Sequence, residues 1–262
     1  MKNNLKFLTP NSYLSFLGGL ISGSAFYASL YFIALQYFHW PVQRLLGPNI
    51  SKGISLDMAL YLMLYVLFFW GIILIFQKNS LVSYEYQALC ALEQNFQSST
   101  IISKRSELDN LRASISHGKD SAKFRGSVIL QILLFLIDHC LVTQTSERVM
   151  EIFSRRMQTL EKHIESTYNM LRYIAWAIPS IGFIGTVLGI GEAIANAGQA
   201  VDNLEVVVAP LGMAFDTTLI ALIQSIILMY FIYNMQHKEE NFLNSVDLFC
   251  QEKFIINLRL QV

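Results

Sequence analysis

One acid in this sequence stands where acids are rarely found. Asp216 is the only charged residue between Val206 and Tyr233, a stretch otherwise made of apolar, small and weakly polar residues. An ionised acid in the middle of a membrane span costs about 2.5–3.5 kcal/mol on insertion scales, so such a residue normally faces a cavity or a partner. Two readings fit Asp216. It handles an ion, or it makes a structural hydrogen bond as a neutral acid. Around it, Ala214, Thr218, Ala221 and Ser225 recur at four, three and four. Such a small, weakly polar stripe suits a helix interface or a narrow wet path.

A second stretch carries a matching stripe. Between Tyr173 and Gly191 there is no charge, and Gly182, Gly185 and Gly189 recur at three and four. Small residues on one face let two helix backbones approach closely, because association in lipid rests on packing and interhelical hydrogen bonds. Ordinary packing and a functional site both fit that spacing. Pro179 and Pro210 lie inside these stretches and are candidate kinks, since proline removes a backbone donor.

The elements that hold these residues follow from charge distribution. Of 262 residues, 53% are in the hydrophobic set and 15% are charged, against about 25% charged in an ordinary soluble chain. Four runs are nearly free of charge: about 13–38, 58–77, Tyr173 to Gly191, and Val206 to about Tyr233. A crossing helix needs about 20 mostly apolar residues, so four transmembrane helices are expected. A fifth apolar run, Gly126 to Ile137, is bounded by Arg125 and Asp138 and has the length of a buried core helix rather than a span. The first run is too long for the apolar region of a signal peptide, so an uncleaved helix is expected.

Orientation is read from Lys and Arg. The segment Gln77 to Arg172 holds 12 of the 19 basic residues, and the link Asn196 to Glu205 holds none. The positive-inside rule puts the large middle segment and both termini in the cytoplasm. The loop Trp40 to Ser55, with Arg44 and Lys52, then lies outside, against that trend.

The expected organisation is therefore all-α. An N-terminal region 1–77 holds two spans, and 78–171 is a cytoplasmic helical domain. Residues 172–236 hold helices three and four, and 237–262 form a cytoplasmic amphipathic tail. The middle segment lacks proline and breaks near Ser116–His117–Gly118. From Glu147 to Arg172, Val149, Met150, Ile152, Phe153, Met157, Leu160 and Ile164 follow helical spacing, and this helix is expected to run on into the third span. In the tail, Phe242, Val246, Phe249 and Cys250 do the same.

Several classes are excluded. The net charge of zero, from 19 basic and 19 acidic residues, offers nothing to nucleic acid. Cys90, Cys140 and Cys250 form no paired motif and read as small apolar residues. The five histidines are scattered, and no nucleophile–base pair, metal spacing or phosphate loop supports an enzyme or a cofactor.

Helices three and four resemble the shared module of the MotA/TolQ/ExbB proton-channel family. Gly182, Gly185, Thr186, Gly189 and Ile190 match its Gly-x-x-Gly-Thr-x-x-Gly-Ile core, and Ala209, Pro210, Ala214, Phe215, Thr218, Ala221 and Leu222 match its second helix. The likeness covers about Tyr168 to Asn234, and four spans resemble the MotA-like topology. Met213 and Ala221 stand where the family often has a polar residue and a glycine. The resemblance implies a ring-forming subunit, pentameric, around two copies of a single-span MotB/ExbD/TolR-like partner whose aspartate carries the ion. That ion would be H+, with Na+ as the other option, and the site would be the bacterial inner membrane. Thr186 and Thr218 would line the path, where hydroxyls can bond a carboxylate or hold a water. Asp216 would add a relay, or pair with the partner, with Thr217, or with Gln224 of a neighbouring copy. The rival reading is a non-conducting membrane scaffold in which Asp216 only supports assembly.

Overall fold

Backbone N–H and C=O groups find no water in lipid, so an uncharged stretch that crosses must satisfy them within itself. The computed structural model describes residues 12–37, 56–95, 108–109, 112–113, 124, 126–142, 146–199 and 203–255, and every regular element among them is helical. These are α1 (Ser12–Tyr37), α2 (Leu56–Asn95), α3 (Val128–Val142), α4 (Ser146–Thr167), α5 (Asn169–Ala195) and α6 (Glu205–Phe249). A 3-10 turn, Ala197–Gln199, follows α5, and a π-helical turn, Cys250–Ile255, ends α6. Only Tyr168 separates α4 from α5, as the expected run-on helix requires.

Three helices are long and apolar enough to cross a membrane: Met58–Gln94, Glu147–Ala195 and Glu205–Glu252. They contain the second, third and fourth uncharged runs. The first run forms α1 but is not one of these three, so the described residues support three crossings where four were expected. Serines in α1 bond back to its own carbonyls: Ser22 donates to Gly18 O at 2.7 Å, and Ser24 to Leu20 O at 2.6 Å. The loop with Arg44 and Lys52, the break at Ser116–Gly118, and Asp202 lie outside the described residues.

The chain divides into two compact units. One draws on Asn11–Phe76 and Asn169–Tyr233. Within it, a Cβ on Gly19 would lie 2.7 Å from Trp70 Cα, and one on Gly23 2.7 Å from Val66 Cα. Four residues forward on α1 thus correspond to four back on α2, so the two helices are antiparallel and close. Further along, a Cβ on Gly71 would lie 2.8 Å from Leu228 Cδ1, which brings α2 against α6. Phe16 and Trp70 meet edge to face, with ring centroids 4.9 Å apart.

The other unit draws on Gln77–Tyr168 and Asn234–Val262. Its centre is α3, the short apolar run, where Val128, Ile129, Leu130, Ile132, Leu133, Leu136, Ile137 and Cys140 are buried. A helix of 15 residues is about 22 Å long, short of the roughly 30 Å hydrocarbon layer. Its N-terminus is capped from α2: the Glu85 carboxylate accepts from Val128 N at 2.9 and 3.1 Å. Placing an anion there satisfies an otherwise unpaired donor at the positive end of the helix. The chain enters through Gly126 at φ 101°, a conformation that suits glycine.

α4 buries Val149, Phe153, Leu160 and Ile164 and leaves Glu151 and Arg155 exposed, while Met150, Ile152 and Met157 are half-buried. In the tail, Phe242, Val246, Phe249 and Cys250 are all buried, and Phe242 meets the Tyr86 ring at 5.2 Å. The three cysteines are free. Burial pushes the Cys140 thiol up to about 12, so it remains protonated at neutral pH and packs as an apolar group.

Inside this unit, Lys78 Nζ donates to both oxygens of Glu239 at 2.8 and 3.0 Å, and both residues are buried. The ammonium also lies 4.1 Å from the centre of the Tyr168 ring. Three separate helical segments are thereby tied at one point. Removing one member of a buried pair strands its partner, at a cost of about 3–5 kcal/mol. Lys78→Met or Glu239→Leu alone should therefore lower unfolding stability by about that amount. The double variant should recover most of the loss, as measured by thermal unfolding in detergent.

Candidate functional site

The glycine stripe of α5 and the small-residue stripe of α6 form one seam. Thr218 Oγ1 donates to Gly182 O at 3.0 Å, and Ser225 Oγ donates to Ala175 O at 2.9 Å. Seven residues forward on α6 correspond to seven back on α5, so the helices are antiparallel over two turns. Between these bonds the backbones approach until no side chain fits. A Cβ on Gly182 would lie 2.5 Å from Ala221 Cβ, and one on Gly185 2.6 Å from Thr217 Oγ1. At Gly189 it would lie 2.6 Å from Pro210 O and 2.8 Å from Ala214 Cβ.

The prolines enter through hydrogen bonding rather than breaks, for both helices continue through them. Pro179 has no N–H, so the carbonyl four residues earlier, at Ala175, loses its helical donor. That carbonyl is the one to which Ser225 donates across the seam. The unpaired acceptor made by one helix is thus filled by the other. Pro210 instead presents its carbonyl oxygen directly to Gly189.

The four candidate ion-path residues occupy different places. Thr217 is fully buried, and its hydroxyl donates to Met213 O at 3.1 Å and Ala214 O at 3.0 Å on its own helix. It fills the space that Gly185 leaves open. Thr218 is half-buried at the seam's edge, with its hydroxyl shared between Gly182 O and Ala214 O. Thr186 is half-buried one turn along α5 from Gly182, and its hydroxyl donates to Phe183 O at 2.6 Å. Asp216 is also half-buried, but two residues turn a helix by about 200°, so it points away from the seam to which Thr218 is bonded. The structure therefore brings Thr186 and Thr218 to neighbouring turns and separates Asp216 from them.

Other residues were not singled out from sequence. Gly19 and Gly23, spaced at four, join α1 to α2. Tyr27, Tyr61 and Tyr65 are buried together with Met213 and Ile220. Tyrosines in an apolar run read as bulk, and only the pairing of helices reveals their grouping. Gln224, by contrast, is a candidate partner of Asp216 from sequence; it is buried on α6, and its Oε1 accepts no hydrogen bond among the described residues. Among those residues, no group of three or more His, Cys, Asp or Glu is placed to hold a metal.

Residues 127–247 match the model of the MotA/TolQ/ExbB proton channel family. The match is wider than the stretch from Tyr168 to Asn234 that carries the motifs, for it also takes in α3 and α4. No curated protein and no solved structure matches the chain.

The seam predicts a size exchange. Gly182→Ala should cost about 1–3 kcal/mol through overpacking. Adding Ala221→Gly should restore much of the loss, because the nearest obstacle is the Ala221 methyl group, with Thr218 Cα next at 3.3 Å. Gly189→Ala should not be rescued by Ala214→Gly, since the Pro210 carbonyl stays in place. Thermal unfolding of the four variants checks both expectations.

Proposed function

Since the chain carries a MotA/TolQ/ExbB proton channel family domain over residues 127–247, we propose that it is the ring-forming subunit of an ion-driven motor complex. The family brings a proton channel-type function, and with three long apolar helices it makes this a multi-pass membrane protein. It is a channel-type family rather than a family of enzymes.

In the proposed complex, several copies, five by family resemblance, surround two copies of a single-span MotB/ExbD/TolR-like partner in a bacterial inner membrane. α1 crosses as a fourth span, and the unit containing α3 and α4 lies in the cytoplasm with both termini. The positive-inside asymmetry of the sequence supports that orientation. Outward side chains such as Phe183 and Val187 on α5, and Phe215 and Leu219 on α6, are exposed in the single chain and offer apolar surface to lipid and neighbouring copies.

The partner's aspartate takes up an ion, H+ or Na+, and releases it on the other side. Thr186 and Thr218 line its path. The observation that carries this reading is the hydroxyl-edged seam inside the family match: two threonines at neighbouring turns, on helices locked too closely to drift apart. A hydroxyl bonded to a carbonyl retains lone pairs and can rotate to serve a carboxylate or a water. Each elementary charge crossing 100 mV releases about 2.3 kcal/mol, so useful work needs several ions per event or coupling in small steps.

The test is proton flux into liposomes holding this protein and a single-span MotB/ExbD/TolR-like partner. A hydrogen bond to a charged group contributes about 1.5–3 kcal/mol, so Thr186→Val and Thr218→Val should each slow flux by about tenfold or more. Assembly, followed by size-exclusion chromatography, should be kept. Wild-type flux in both variants would contradict the roles given to Thr186 and Thr218, and an absence of flux from the wild-type complex would favour the non-conducting scaffold.

A further inference from the structure

Asp216 lies off the seam, and the structure points to what surrounds it. Met213 and Ile220 are buried in a cluster with Tyr27 of α1 and Tyr61 and Tyr65 of α2. At about 100° per residue, Asp216 is within about 60° of Met213 and about 40° of Ile220 around α6. It therefore borders the face that meets the tyrosines, and it is half-buried there.

The heights agree as well. Leu228 packs at Gly71, and α2 and α6 run in the same direction, since Met213 and Ile220 meet Tyr61 and Tyr65 earlier on both. Twelve residues back from Leu228 is Asp216, and twelve back from Gly71 is Ala59, between Met58 and Tyr61. On α1, Gly23 meets Val66, so four residues further Tyr27 stands level with Leu62, beside Tyr61. Three helices converge on one level with one carboxyl and two phenols.

We propose that Asp216, Tyr27 and Tyr61 form a proton-binding site inside the apolar unit, separate from the Thr186–Thr218 edge of the seam. This rests on the reading that the unit lies in the membrane, and it adds a site on the opposite side of α6. In the ionised state the phenol O–H groups donate to the Asp216 carboxylate, which stabilises its charge without a cation. A proton from water then binds one carboxylate oxygen, and the neutral acid donates its own O–H to a phenol oxygen. The phenols keep their protons throughout, and release to water reverses the step. The stretches 12–37, 58–77, 173–191 and 206–233 contain no Lys, Arg, His or Glu and no Asp but Asp216. The acid next nearest in sequence to this level is Asp57, four residues before Tyr61 on α2. The other titratable side chain in the cluster is Tyr65, its ring 6.0 Å from that of Tyr27. Uptake of a proton changes the hydrogen bonds among α1, α2 and α6, while the bonds of Thr218 and Ser225 to α5 involve neither the acid nor the phenols.

The test uses the full-length protein alone in liposomes, with pH-difference infrared spectroscopy of the protonated carboxyl stretch. A titrating band is expected that is lost in Asp216→Asn, kept in Asp57→Asn, and displaced in Tyr27→Phe and Tyr61→Phe. If Asp216→Asn fails to fold, the displacement in the two tyrosine variants still decides the matter. A band absent from the wild-type protein, or surviving Asp216→Asn, or unmoved by both tyrosine variants, overturns the proposal. Because no partner is present, this outcome is independent of the flux that decides the motor reading.

Discussion

Everything at the candidate site depends on how closely α5 and α6 approach. Three glycines on one helix meet alanines, a threonine and a proline carbonyl on the other at distances that leave no room for a methyl group. In lipid there is no hydrophobic drive to hold helices together, so association depends on packing and on hydrogen bonds across the interface. Both are present: the glycines give the approach, and Thr218 and Ser225 donate across it. The Pro179–Ser225 relation shows how the two are joined. A proline that opens one carbonyl would be a weakness in an isolated helix, and here it fixes register with the neighbour.

The second unit is built on different terms. Its centre is an apolar helix buried on most of its faces, capped by Glu85 and entered through a glycine at positive φ. The Lys78–Glu239 pair adds a charged tie under the Tyr168 ring. Such a pair adds little net stability, since desolvation offsets much of its attraction, but separating its two charges is costly. α2 and α6 contribute residues to both units, so the segments that line the apolar packing also carry the ion pair and the buried tail.

Much of this was legible in the residues. Uncharged runs located the long helices, and the short length of Gly126 to Ile137 separated a core helix from a span. The spacing of Gly182, Gly185 and Gly189 located the face at which α5 packs. The division between Asp216 and Thr218 was harder to see. They are two residues apart in sequence and both are candidates for handling an ion, yet two residues reverse direction around a helix. Partners more than 150 residues away are invisible to periodicity as well. Tyr27 and Tyr61 read as ordinary aromatic bulk until the registers of three helices place them at the level of Asp216. The same holds for Lys78 and Glu239, which look like solvated charges in sequence and are buried in the fold.

The central claim is that Thr186 and Thr218 border a water-accessible ion path while the outward face of α6 meets lipid. Cysteine accessibility tests it most directly. In a background with Cys90, Cys140 and Cys250 replaced by Ser, Thr186→Cys, Thr218→Cys and Leu219→Cys are exposed, in membranes holding the assembled complex, to a charged, water-soluble thiol reagent. Modification at 186 and 218, with position 219 unreactive, is the predicted result. Equal silence at all three positions would contradict a wet path along this seam.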